Sequence, residues 1–222
     1  MKKVQKAQSS LNNSEQLHHF LNALKICNKR VNYDAFEEIV CYGIGNFSKS
    51  HAALYQLALL LQLKYHLKVP LHIYDPLFNT IEKEILEKLN LIIIDRNEEG
   101  KRKIYNNTVF FLPHCPLELF NNLLWINWGL SLSKCVIIGN RHSSVITNTP
   151  SSSLIDFYYV TRITPAVEEI DIPNVFKFND IFNDFAAHIF PLDKLNKVPA
   201  DFWNFQEIPV YNKLNLEFIG LS

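Results

Sequence analysis

Glu38-Ile-Val-Cys-Tyr-Gly-Ile-Gly-Asn-Phe-Ser-Lys-Ser-His51 is an apolar run, a glycine turn and a polar entry into a helical stretch, Ala52 to Leu67. Strand, glycine turn, helix is the layout of a nucleotide or dinucleotide site. Gly43 and Gly45 let backbone N–H groups approach a ligand with no Cβ in the way. The helix start adds unpaired N–H groups and the positive end of the helix dipole.

The pattern repeats outward from this unit. Leu71–Tyr74 reads as a second strand, Leu91–Ile94 as a third, Thr108–Leu112 as a fourth and Cys135–Ile138 as a fifth. Between them lie a helix over Thr80–Leu89, with Asn79 and Glu82 at capping-box spacing, and one from Pro116 to Leu130. Short continuous apolar strands alternating with helices predict an α/β fold: a Rossmann-like, doubly wound, mostly parallel sheet with helices on both faces. Strand order 3-2-1-4-5 puts the loops after strands one and four, Gly43–Ser50 and Pro113–Pro116, in one crevice. Beyond Asn140 the pattern weakens. His142–Ser153 reads as a loop, Phe157–Ile163 as a sixth strand and Phe178–Phe190 as a helix. The expected organisation is a helical extension over residues 1–34, with a helix near Glu15–Cys27, an α/β domain over 35–190, and a tail over 191–222 packed on it through Phe202, Trp203 and Phe205.

The 222 residues carry zero formal net charge, with apolar residues at 48% and charged ones at 20%. The balance excludes electrostatic binding to nucleic acid or an acidic membrane as the expected role. Lys101-Arg102-Lys103 follows Glu98-Glu99-Gly100 and reads as a solvated turn. Cys27, Cys41, Cys115 and Cys135 form no C-x-x-C pair, and Met1–Asn13 is polar, unlike a signal peptide. Leu57–Leu63 is interrupted by Gln62 and too short to span a bilayer. The expected compartment is the cytosol, with the nucleus as a second.

Several blocks resemble the Sensitivity to Red Light Reduced family over roughly residues 37–190. They are Cys41-Tyr-Gly-Ile-Gly-Asn-Phe-Ser48, Tyr55-Gln56-Leu57-Ala58, Tyr74-Asp-Pro76, Phe111-Leu-Pro-His-Cys-Pro116, Asn127-Trp128, Ile138-Gly-Asn140 and Phe178-Asn-Asp180. The resemblance implies a regulatory protein: members are linked to light input and the circadian clock, to regulation of haem biosynthesis and, in yeast, to microtubule-related phenotypes. It implies no settled reaction.

Gly43-x-Gly45-x-x-Ser48 departs from the dinucleotide fingerprint at its third position and from a P-loop at the same residue. Asp75 ends the second strand, where an acid accepts ribose hydroxyls, or it shapes the turn with Pro76. A glycine loop with a second-strand acid is also similar to folds that bind S-adenosylmethionine. Pro113-His114-Cys115-Pro116 sets a histidine and a thiol at a strand end, with Cys115 near a helix N-cap that would lower its pKa. His114 and Cys115, with His142 as a third, are also candidate metal ligands. Asn127 and Trp128 read as core. The candidate ligand-binding set is Gly43, Gly45, Asn46, Ser48, Asp75, Pro113, His114, Cys115 and Asn140, with no catalytic assignment. The expected ligand is a small nucleoside-type compound, S-adenosylmethionine or another adenosine-containing molecule, and the expected partner a regulatory protein. Three functions stay open: a ligand-binding regulator, a methyltransferase-like enzyme, and an interaction module with a vestigial crevice.

Overall fold

The computed structural model describes residues 1–211, 218 and 219; part of the predicted tail, 212–217 and 220–222, lies outside the described residues. Among the described residues the sheet has seven strands: β1 (Glu38–Tyr42), β2 (Leu71–Tyr74), β3 (Ile92–Ile93), β4 (Thr108–Leu112), β5 (Cys135–Asn140), β6 (Glu168–Asp171) and β7 (Phe185–Ile189). Their order is β3-β2-β1-β4-β5-β7-β6. The first five are parallel, as the alternating pattern predicts, and β7 and β6 join antiparallel beside β5.

Period-two alternation divides each strand between two cores. Ile39 and Cys41 of β1, with Val109 and Phe111 of β4, face one side. There they meet α1 (Lys2–Leu11), α2 (Glu15–Val31), α3 (His51–Leu67) and α4 (Thr80–Lys88). Val40 and Tyr42, with Phe110 and Leu112, face α5 (Leu117–Ile126) and the later short helices. β4 is buried at every position because both faces are covered. α3 is apolar nearly all round and sits almost wholly inside, against the sheet and under α1.

Three expectations beyond Asn140 are corrected. His142–Ser153 is not a loop: α6 (His142–Asn148) and α7 (Ser151–Leu154) occupy it. Glu169 accepts both the N–H and the hydroxyl of Ser143 in the first turn, and Val145 and Ile146 pack on the second core. The predicted sixth strand is α8 (Tyr158–Arg162). Tyr159, Val160 and Ile163 are buried at helical spacing, and Asn121 Oδ1 accepts the N–H groups of Tyr159 and Val160. The predicted helix over Phe178–Phe190 is a turn followed by β7. Asp184 at φ 55° breaks the chain, and the buried Phe185–Ile189 run pairs with the otherwise open edge of β5. The predicted third helix also ends early, at Ile126, before a 3-10 turn over Leu130–Lys134.

The amino-terminal segment holds α1 in addition to the expected helix, and both pack on the main core. α9 (Leu192–Leu195) and a short turn, Ala200–Trp203, bring Phe202 against Trp128, ring centroids 5.3 Å apart and stacked. Asn127 is internally satisfied: its Oδ1 accepts from Ile104 N and its Nδ2 donates to Arg102 and Leu123 carbonyls.

Candidate functional site

The loops after β1 and β4 meet at the carboxyl edge of the sheet, where the strand order reverses. They bound a cleft of about 470 Å³, within the roughly 300–1,000 Å³ usual for small-molecule sites. Gly43, Gly45, Asp75, Pro113, His114 and Cys115 all line it. Ser50, Gln56, Leu77 and Phe218 complete much of the wall.

The glycine turn is tied down by carboxylates. Asp75, 5% exposed, accepts the Gly45 N–H at 2.6 Å through one oxygen and the Leu77 N–H at 2.8 Å through the other. Gly43 N–H donates to the Tyr74 carbonyl. Further along, Glu82 accepts the Ser48 N–H at 2.8 Å while its second oxygen accepts the Asn79 N–H at 3.2 Å. The capping box expected for α4 thus also holds the tip of the neighbouring loop. Asn46 Oδ1 accepts from the Ser48 hydroxyl and the Lys49 N–H. Asn46 and Ser48 order the turn and do not line the cleft. Ser50 caps α3, its Oγ accepting the Ala53 N–H.

Gly43 and Gly45 adopt φ of 74° and 81°, the left-handed region that favours glycine. His114 also lies there, at φ 49°, which turns the Pro113–Pro116 loop inward. The His114 ring packs edge-on against Phe185, centroids 5.2 Å apart. Burial holds its pKa below the ordinary value, against the opposing pull of Asp184, the Ile181 carbonyl and the Asn140 amide.

Cys115 differs from the expectation. It precedes the N-cap Pro116, and its Sγ points back to donate to the Tyr42 carbonyl at 3.1 Å. Burial, helped by nearby Asp75, pushes its pKa up, so the helix N-terminus does not activate this thiol. Asn140 does not line the cleft; it lines an adjoining cavity that shares Cys115 and Pro116. Among the described residues no group of three or more His, Cys, Asp or Glu is placed to hold a metal ion. No helix among them is long and apolar enough to cross a membrane.

Three wall residues lacked a sequence signal for the site. Gln56 is buried inside α3, where it reads as one polar residue in an apolar helix; its Nε2 donates to the Ile181 carbonyl at 3.1 Å. Phe218 comes from the far end of the chain and is anchored by Asn97, whose Nδ2 donates to its carbonyl at 2.6 Å. Leu77 follows Asp75-Pro76 and reads as an ordinary turn residue, yet it stays about half exposed at the mouth.

The SRR1 domain matches residues 8–189. The chain belongs to this family. An SRR1-like protein of Drosophila melanogaster is 32% identical over 160 residues, 72% of this chain and 57% of the relative. One from Mus musculus is 44% identical over 134 residues, 58% of this chain and 54% of the relative. The Arabidopsis thaliana protein SENSITIVITY TO RED LIGHT REDUCED 1 is 32% identical over 107 residues, 46% of this chain and 39% of the relative. The chain therefore spans about half the length of its animal relatives and less of the plant one. Among solved structures, the plantazolicin methyltransferase BpumL, in complex with a triazolic desmethylPZN analogue and SAH, aligns over 86% of this chain and 90% of its own, at 14% identity and TM-score 0.43.

Proposed function

We propose that this SRR1-family chain is a regulatory protein whose cleft binds a phosphate-free nucleoside-type ligand, S-adenosylmethionine or another neutral or cationic adenosine compound. The observation that carries the reading is the direction of the loop's hydrogen bonds. A phosphate cradle offers backbone N–H groups outward to an anion. Here Asp75 and Glu82 take the Gly45 and Ser48 N–H groups, and no Lys or Arg is among the described residues lining the cleft. A buried carboxylate at the base of the cleft repels a phosphate and attracts a neutral or cationic group. Gly43, Gly45, Asp75, Pro113, His114 and Cys115 form the proposed wall, while Asn46 and Ser48 keep the turn in shape. The proposed setting follows the family: clock input and regulation of haem biosynthesis, in the cytosol or nucleus, through a regulatory protein partner.

Thermal shift and calorimetry against S-adenosylmethionine, adenosine, a nicotinamide dinucleotide and ATP test this. Ligand at a hundred times its Kd stabilises a folded protein by about 2.7 kcal/mol. S-adenosylmethionine or adenosine is expected to raise Tm and the two phosphate-bearing compounds not to. Asp75→Asn should weaken the binding about tenfold, because the amide can accept only one of the Gly45 and Leu77 N–H groups and the turn that shapes the cleft loses a charged hydrogen bond worth about 1.5–3 kcal/mol. Preferential binding of ATP overturns the phosphate-free assignment. No binding by any compound at millimolar concentration leaves the interaction module. A methyl group lost from S-adenosylmethionine during incubation would instead establish the enzyme reading.

A further inference from the structure

We propose that the chain carries a second binding site, beside the nucleoside cleft, for one neutral six-membered aromatic ring bearing a single O–H or N–H donor. The cavity measures about 170 Å³ and lies between β4, β5, α5 and α6. Leu112, Phe120, Ile137 and Val145 supply apolar wall. A cavity of about 150 Å³ lined by such side chains holds one benzene ring. Phe120 and His188 stand 5.7 Å apart at 45°, so two aromatic faces already border the space. Offset and edge contacts to such faces favour a ring over a branched aliphatic group.

The polar chemistry at this cavity is narrow. No Asp, Glu, Lys or Arg is among the described residues lining it. His188 is fully buried, and both its nitrogens are engaged. Its Nδ1 donates to the Ile137 carbonyl at 2.8 Å, and its Nε2 meets the His142 backbone N–H at 3.1 Å and Glu169 Oε2 at 3.5 Å. It therefore offers a ring face and no acceptor. The Thr149 hydroxyl and the Asn140 amide also line it: the Asn140 Oδ1 is buried and has no well-directed hydrogen bond, the His114 imidazole engaging the amide only off-axis. A buried carbonyl oxygen without a donor is uncommon in folded proteins. A water bridging Asn140 and Thr149 would leave the apolar wall unfilled. A ligand O–H or N–H on an apolar ring supplies the donor and fills the apolar space together. Charged rings are excluded by the lack of a counter-charge.

Cys115 and Pro116 border both cavities, so a ring bound here covers one side of the Cys115 side chain. Asn140 and Val145 line this cavity and not the cleft, so variants at those two positions give a readout which does not depend on nucleoside binding. Phenol is the probe and benzene the donor-free control. Calorimetry on the wild-type protein is expected to show phenol binding about fivefold to tenfold tighter than benzene, the factor one neutral hydrogen bond supplies. Saturating phenol should slow mass-resolved iodoacetamide labelling of Cys115 and leave Cys27 labelling unchanged. Asn140→Leu should erase the preference for phenol while retaining ring binding. Val145→Trp should abolish binding of both. Should either variant fail to fold, 19F NMR of 4-fluorophenol on the wild type decides: displacement by phenol at lower concentration than by benzene supports the site. Equal affinity for phenol and benzene in the wild type, no binding of either at millimolar concentration, or binding without protection of Cys115 each overturns it. A negative adenosine series with a positive phenol series removes the nucleoside assignment alone.

Discussion

Gly43 is constrained twice at one atom. Its φ of 74° lies where a side chain is strained, and a Cβ there would sit 2.5 Å from Cys115 Sγ. Gly45 shares the conformation, at φ 81°, but its Cβ would meet only Ala53 Cβ at an ordinary 3.8 Å. The left-handed conformation costs a non-glycine residue about 1–2 kcal/mol. Gly45→Ala should therefore lose about that much in urea unfolding, and Gly43→Ala should lose more. In a Cys115→Ala background the excess at Gly43 should shrink, because the blocking sulfur is gone. A double-mutant cycle measures it, with about 0.5–3 kcal/mol of coupling expected between groups in contact. Additive losses would mean that the thiol is not what requires glycine at 43. The glycines and Asp75 were legible in the sequence because turn chemistry is local. The partner that makes Gly43 stricter than Gly45 was not, because Cys115 arrives from a different loop.

At the scale of elements, β7 shows how a local pattern loses to a sheet edge. Ile181, Phe182, Phe185 and Ile189 have helical spacing. β5 would otherwise end the sheet with unpaired backbone groups, and the buried Phe185–Ile189 segment pairs with them instead. The pairing also creates a titrating seam. Burial, reinforced by His188 and opposed by Glu169, holds His142 down at about 4 from the ordinary 6.5. Burial alone would raise the Glu169 carboxyl, but its contacts with His188 and Ser143 bring it from 4.5 to about 2. Between pH 6.5 and 4 the unfolded chain binds more protons at residue 142 than the folded one, so stability falls on acidification. Glu169 repeats the loss as pH drops from 4.5 towards 2. The urea midpoint should be flat above pH 6.5 as far as these two groups act and decline below it. His142→Gln should flatten part of the first window, leaving the share of His72 and His114, whose pKa values burial also lowers. An unchanged slope in that variant would show that His142 is not held neutral.

For the whole molecule, the helical amino terminus completes one of two cores. Val4, Ala7 and Leu11 of α1 belong to the core over α3 and the sheet, and Leu11 is fully buried. Removing a buried leucine side chain costs about 2–5 kcal/mol. Leu11→Ala should lower the stability of the entire chain by that amount in one transition. A separate early transition, with the main transition unmoved, would make α1 an independently melting appendage. The same layering places the cleft. Five parallel strands in the order predicted from the alternating pattern bring the ends of β1 and β4 together, and the crevice follows from that topology.

By itself the sequence determined the parallel half of the sheet, the crevice at its reversal point and part of the cleft wall, namely Gly43, Gly45, Asp75, Pro113, His114 and Cys115. Those features rest on apolar periodicity and on glycine, proline and capping residues, each read within a few positions of itself. The tertiary structure alone decided the rest. Tyr159, Val160 and Ile163 became a helix because Asn121, from α5, accepts the first backbone N–H groups. Phe185–Ile189 became a strand because β5 had an edge to offer. Asp75 and Glu82 turned from candidate ligand contacts or caps into anchors of the glycine turn because that turn folds over both. Asn140 moved to a second cavity because β7 and α6 close that end of the sheet. In each case the deciding partner is distant along the chain, and only packing brings it within hydrogen-bonding or contact distance.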